Sequence, residues 1–381
     1  MKDKRFVYMD SAATTEVYPE VTAKILPLYL DDYGNPGGAY GLGERAKSLV
    51  KEARTTIAKS VSASESEIIF TSGGSESDNL AIRGLADVLK SGHIVTTSIE
   101  HKAVLNTCKY LEHCGFSVTY LEPDERGYIK PQQVEEAIRP DTILVSVMMV
   151  NNEIGTVQPI KEIAKIAHDN DVLMHTDAVQ AYGHMPINVK GLGVDMMSVS
   201  GHKFHAPKGT GFLYKRKGVT IFPLIWGGGQ ENNLRGGTEN VPGIVGMAEA
   251  ARMTHEHLPE RMEYLKGMRD HMIERILCEI KGVKLNGSLI NRSVNNVNVS
   301  IDKISGESLL VLLDMNGVCA STGSACNSSD GKPSHVLKAI GLTDSEAKGS
   351  IRFTLDDEVT IEDVDYVVDA LKECVFQLRG F

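Results

Sequence analysis

No apolar run in this 381-residue chain approaches the roughly 20 residues that a membrane-spanning helix needs; the longest, 143–150, is interrupted by Ser146. Residues 1–15 carry charges and no apolar segment of the kind a secretory signal requires, so neither a membrane nor an export role is expected. Positive charge is in the minority. Lys and Arg number 40 against 50 Asp and Glu, a net charge of −10, whereas a nucleic-acid surface needs a basic stripe to displace counterions. Small-molecule and protein partners are the expectation. The six cysteines, at 108, 114, 278, 319, 326 and 374, are scattered and form no CxxC pair. That excludes a disulfide framework or zinc knuckle as the organising device and fits a reducing cytoplasm; no metal is predicted. What is present is a hydrophobic share of 42% with 24% charged residues, enough for a large core and too apolar for disorder. No internal repeat or low-complexity tract is visible.

Short β-rich runs alternate with helical patterns through the middle of the chain. Strands are expected at 67–70, 93–97, 116–121, 143–150, 172–176 and 195–200. Helices are expected at 104–113, 131–138 and 160–168, with another between Gly74 and Leu89. Strands separated by helices imply a mostly parallel sheet covered on both faces. A seventh strand at 211–215 follows after a short loop and is expected to be antiparallel. After about residue 254 the pattern changes to a long charged helix from near Pro259 to Lys281, strand 294–301, helix 306–315, helix 334–340, strand 350–354 and a final helix from Ile361 to about Leu378. This reads as a smaller α+β domain, formed by 1–15 and 254–381 beside a large α/β domain at 16–253.

Open parallel sheets bind ligands beyond the carboxyl ends of their strands, so polar residues after strands carry the interest. Thr71-Ser-Gly-Gly-Ser-Glu76 offers backbone N–H groups at a helix start, suited to an anion and equally to an ordinary cap. Asp177, at the end of a strand, suits either a protonated ring nitrogen or another helix cap. Ser198-Val-Ser-Gly-His-Lys203 places a lysine after a buried strand; lysine attacks carbonyls once burial or nearby cations lower its pKa, though most lysines are simply solvated. Cys326 lies in a Gly/Ser/Asn-rich stretch, 321–331, where a thiol is reachable and a thiolate nucleophilic, although a surface cysteine can fall in such a stretch by chance. A phosphate cradle, a ring-nitrogen carboxylate and a carbonyl-binding lysine together describe a pyridoxal-phosphate site.

The order of these segments resembles the cysteine desulfurases of the NifS/IscS type, within the class V aminotransferase family. The likeness rests on Asp10-Ser-Ala-Ala-Thr-Thr15, Thr71-Ser-Gly-Gly-Ser-Glu-Ser-Asp-Asn79, Glu100-His-Lys102, Asn151-Asn-Glu-Ile-Gly155, His175-Thr-Asp-Ala-Val-Gln180, Ser198–Lys203, Pro207-Lys-Gly209, Arg235-Gly-Gly-Thr-Glu-Asn240, Ser324-Ala-Cys326 and Ile351-Arg-Phe353. It implies a fold-type I pyridoxal-phosphate enzyme: a mostly parallel seven-stranded sheet in a large domain plus a small α+β domain, acting as a homodimer whose active sites use both subunits. By the same resemblance, Lys203 is the covalent attachment point of the cofactor, Asp177 holds the pyridine N–H, His101 stacks on the ring and Gln180 bonds its phenolic oxygen. Gly74, Ser75, Ser200 and His202 bind phosphate, joined by Thr238 from the partner subunit. Asn152 and Arg352 hold the substrate carboxylate, and Cys326 takes sulfur from L-cysteine as a persulfide, leaving L-alanine, for delivery to an acceptor protein serving iron–sulfur cluster assembly or thiolation of tRNA or cofactors. A selenocysteine lyase or another class V aminotransferase is the alternative; a non-enzymatic scaffold fits poorly with so complete a set. Three positions depart from the family pattern: Ser11 in place of Asn, Tyr40 in place of a histidine, and Ser75 in place of Thr.

Overall fold

The computed structural model describes residues 5–322 and 333–380. Its centre is a seven-stranded sheet whose strands lie in the spatial order Ile68–Thr71, Gly211–Lys215, Met196–Ser200, Leu173–Asp177, Thr142–Ser146, His93–Thr97, Ser117–Leu121. Six strands run in one direction; Gly211–Lys215 is antiparallel to both its neighbours, as its short connection predicts. Strands Leu173–Asp177 and Met196–Ser200 are buried along nearly their whole length, because helices cover both faces. Alternate residues feed separate cores. Ile68, Phe70, Phe212 and Tyr214 pack on one face with the helix Gly41–Ser60, whereas Ile69, Leu213 and Met196 pack on the other against Gly74–Leu89, as the period of two in a strand requires.

A second sheet of three antiparallel strands, Ser350–Thr354, Asn296–Ile301 and Val283–Leu285, has its own core, roofed by helices Leu258–Glu279, Gly306–Met315 and Ile361–Leu378. Val7 and Met9 belong to this core. Val7–Tyr8 pairs with Val318–Cys319, so the beginning of the chain is stitched to its last third.

The expected strand at 143–150 ends at Ser146. Beyond it Val147 and Met149 still donate to His175 and Asp177, but on the other side the neighbouring strand has stopped at Thr97, and Met148 N donates instead to a side chain, Glu100 Oε1, at 2.9 Å. The apolar run therefore leaves the sheet. At this point the strand order reverses, since 93–97 is followed in the chain by an edge strand on one side and by 142–146 on the other. A crevice opens at such a reversal.

Candidate active site

A cavity of about 470 Å³ occupies that crevice, lined among others by Gly74, Ser75, His101, Asn152, Asp177, Gln180, Ser200, His202, Lys203 and Arg352. Ten residues singled out from the sequence thus meet in one place. Thr238 does not line it; it is exposed on the single chain. Cys326 lies outside the described residues.

One part of the cavity comes from successive strand ends of the large sheet. Gly73 precedes the helix Gly74–Leu89 with φ of 149°, a conformation glycine adopts without cost. A Cβ on Gly74 would come within 2.7 Å of a Val179 methyl, and one on Gly73 would face Ser200 Oγ at 3.5 Å. The missing side chains leave a helix N-terminus open beside two hydroxyls, a site for a phosphate. His202, adjoining it, bonds Thr14 Oγ1 through Nδ1 at 3.1 Å. Burial, with Lys203 and Lys208 nearby, pushes its pKa down to about 4, so His202 contributes as a neutral ring.

Asp177 ends its strand with only 5% exposure. Its Oδ1 accepts from Val179 N at 2.9 Å. Burial raises its pKa, opposed by His101, that backbone N–H and Lys203; a buried carboxylate of this kind is stabilised by a cationic N–H placed against it. A second carboxyl group, Asp78, also lines the cavity; it is 1% exposed, and its Oδ1 has no hydrogen-bond partner among the described residues. Burial and the charge of Asp177 hold the Asp78 pKa well above the ordinary range. Beyond Asp78, His175 bonds Ser146 and Ser198 at 2.8 and 3.0 Å and is kept neutral by burial, its pKa pushed down to about 3.

Lys203 Nζ donates to Ala12 O at 2.6 Å and Ala13 O at 2.7 Å, and Gln180 Nε2 shares Ala12 O at 3.0 Å. His101 caps the helix Lys102–His113, its Nδ1 accepting from Ala103 N at 3.1 Å. When neutral it therefore carries its proton on Nε2. Burial lowers the pKa of His101 and Asp177 raises it, with Lys203 and Lys102 adding to the lowering.

The remaining part of the cavity is contributed by distant segments. Arg352, 4% exposed, donates from Nη1 to Asn152 O at 2.9 Å and from Nη2 to Asp10 Oδ1 at 2.7 Å. Its Nε is buried without a hydrogen-bond partner among the described residues. Glu153, also on the wall, accepts from Ser334 Oγ, which in turn caps the helix His335–Ala339. Burial raises the Glu153 pKa to about 7, against Ser334, Arg352 and Lys102. His335 lines the cavity too, Nε2 on Glu100 O at 3.0 Å. The sequence reading did not single out Asp10, Asp78, Glu153 or His335 individually. The first three stand in quoted motifs and His335 in none; a search for polar residues that the fold must bury would have raised Asp78 and Glu153.

The arrangement fits pyridoxal phosphate: an anion pocket at the glycine turn, a buried carboxylate for a ring N–H, a lysine amine on the same cavity, and a guanidinium whose buried Nε–H has no hydrogen-bond partner among the described residues for a carboxylate.

Comparison with known proteins agrees with this geometry. A family profile described as aminotransferase class-V matches residues 7–367. The protein named cysteine desulfurase IscS from Dictyoglomus turgidum is 49% identical over 378 residues, 99% of this chain and 96% of that one. Among solved structures, a NifS-like protein aligns with a TM-score of 0.92 at 40% identity, covering 97% of this chain and 99% of the other. A structure described as SspA in complex with cysteine aligns at 0.82 and 43% identity, covering 91% and 98%. The chain belongs to the class V aminotransferase family.

Proposed function

We infer that this chain is a pyridoxal-phosphate-dependent cysteine desulfurase, converting L-cysteine to L-alanine with the sulfur taken up by Cys326. The observation that carries the reading is the meeting of Lys203, Asp177 and Arg352 on one cavity, a combination suited to an amino acid held by its carboxylate beside a cofactor. Pyridoxal phosphate bound there supplies a sink for the electron pair left at the substrate Cα.

The chain's own residues do the rest. Gly74, Ser75, Ser200 and His202 hold the phosphate, Asp177 accepts the ring N–H, Gln180 donates to the phenolic oxygen, and His101 covers the ring with Nε2–H available for proton transfer. Lys203 Nζ takes the Cα proton. Arg352 and Asn152 fix the substrate carboxylate, for which a planar guanidinium is well shaped. Cys326 Sγ, as thiolate, attacks the substrate sulfur: the S–S bond forms as the Cβ–S bond breaks, and the electron pair leaves with carbon, where protonation completes alanine.

The division into a large domain at 16–253 and a small domain of 1–15 with 254–381 is supported by one core drawn wholly from the first and another drawn wholly from the second. A homodimer in which Thr238 reaches the partner's phosphate gives that exposed threonine a role. The recipient of the persulfide sulfur is an acceptor protein for cluster assembly or thiolation. No helix among the described residues is long and apolar enough to cross a membrane, and we place the protein in the cytoplasm.

The test is alanine release from L-cysteine and dithiothreitol by the cofactor-loaded protein, beside Cys326→Ala. Alanine from the wild type and almost none from the variant is expected. No alanine from either, with the cofactor visibly bound, overturns the assignment.

A further inference from the structure

The motif Asp10–Thr15 holds Lys203 through its main-chain carbonyls and His202 through Thr14 Oγ1, and its first side chain makes the one ion pair, among the described residues, of the guanidinium on which substrate binding depends. Asp10 Oδ1 lies 2.7 Å from Arg352 Nη2, with side-chain exposures of 16% and 4%. We propose that Asp10 is a positioning residue for substrate selection: by holding Nη2 of Arg352 while Asn152 O holds Nη1, it sets the guanidinium so that its remaining donors receive an α-carboxylate. This rests on the reading of Arg352 as the carboxylate receiver.

Three observations support it. A guanidinium has five N–H donors in a fixed fork. Two bonds leave the Nε–H and one hydrogen on each terminal nitrogen, and Nε is buried with no hydrogen-bond partner among the described residues. A carboxylate needs two parallel donors, and an arginine held at only one end can rotate that pair out of line. Asp10 is itself firmly placed. Its carbonyl accepts from Ala13 N at 2.8 Å and from Tyr8 Oη at 3.1 Å, and its backbone bridges Thr354, two residues from Arg352. Finally, the same turn carries the two carbonyls that hold Lys203 Nζ. The distance between the cation for the substrate carboxylate and the amine near its Cα is thereby set by one five-residue turn rather than by two domains separately.

The consequence is selectivity for ligands bearing a carboxylate. Binding is read from the visible spectrum of the cofactor-loaded protein in a Cys326→Ala background, titrated with L-cysteine and with 2-aminoethanethiol, which lacks the carboxylate. Asp10→Ala is expected to raise the half-saturating L-cysteine concentration about tenfold, as for loss of one charge-assisted bond, and to leave that for 2-aminoethanethiol within twofold. Asp10→Asn, which keeps the acceptor oxygen, restores most of the L-cysteine affinity. Where alanine at this buried turn prevents folding, Asp10→Ser provides the same comparison, its hydroxyl being too short to reach the guanidinium. Equal weakening of both ligands, or tighter L-cysteine binding, overturns the proposal. Arg352→Ala separates this from failure of the underlying reading: if that substitution weakens both ligands equally, or weakens neither, Arg352 is not the carboxylate receiver at all.

Discussion

Gly74, Asp177, Ser200 and Lys203 reach the cavity from the carboxyl ends of three strands of one sheet and the turns that follow them. Arg352 and its two partners come from elsewhere: it is 200 residues from Asn152 and 342 from Asp10. The first group is rigid by construction, because each residue ends or follows a strand that is hydrogen-bonded to its neighbours and covered on both faces. The second is held by side-chain bonds across the junction of two cores. Chemistry that must not move is thus placed on the sheet, and recognition of the ligand is placed where segments meet.

The comparison is broken most completely at Lys203. Lys203→Ala is expected to lower alanine formation by at least about a hundredfold, the usual scale for removing a positioned acid–base group. It should also abolish the spectral signature of covalently held cofactor, while Asp177 and the glycine turn still retain the cofactor non-covalently. Alanine assay and absorbance of the dialysed protein check the two halves of this statement. A variant retaining a tenth of the activity would remove Lys203 from the chemistry.

Gly74→Ala sharpens the contrast on the sheet side. The added methyl meets Val179 Cγ2 at 2.7 Å, and crowding of this kind costs about 1–3 kcal/mol. Both Gly74 and Val179 border the phosphate end, so the expected result is about a tenfold weaker cofactor affinity, with turnover at saturating cofactor and the L-cysteine KM little changed. Titration of the unloaded protein with pyridoxal phosphate measures the first quantity. A raised KM with intact cofactor affinity would mean that the two groups of residues are not separable.

The same contrast governs how much was legible in the sequence. Asp177, Lys203 and the glycine turn announce themselves because strand, turn and chemistry are contiguous. Asp10 and Arg352 do not, since nothing local to Val7-Tyr-Met-Asp10 says that its partner lies 342 residues on; only family likeness pointed to Arg352. Within the fold, the helix Val241–Glu256 is buried on most sides and so lacks the amphipathic stripe by which periodicity reveals a helix. The overlong strand at 143–150 fails for a related reason: an apolar run reports burial, and residues 147–150 are buried without being in a strand.

The smallest expected effect concerns Glu153, on the wall contributed by distant segments. Burial lifts its pKa from 4.5 to about 7, with Arg352 and Lys102 as the charges that oppose the shift. A carboxyl group that binds its proton more tightly when folded loses stability as pH rises from its unfolded to its folded pKa. The native state therefore bears a growing penalty from about pH 4.5 to 7, which then levels off at no more than roughly 3 kcal/mol. Glu153→Gln keeps an oxygen to accept from Ser334 and has nothing to ionise. Its Tm relative to the wild type should accordingly rise across that interval by a few degrees and stay constant above it, measured on unloaded protein at matched ionic strength. Glu100, pushed up to about 8 by its own burial, is present in both proteins and drops out of the difference. A difference independent of pH would mean that Glu153 stays ionised throughout, paired by Arg352 and Lys102, and the wall would then carry a fixed negative charge beside the guanidinium that Asp10 already neutralises.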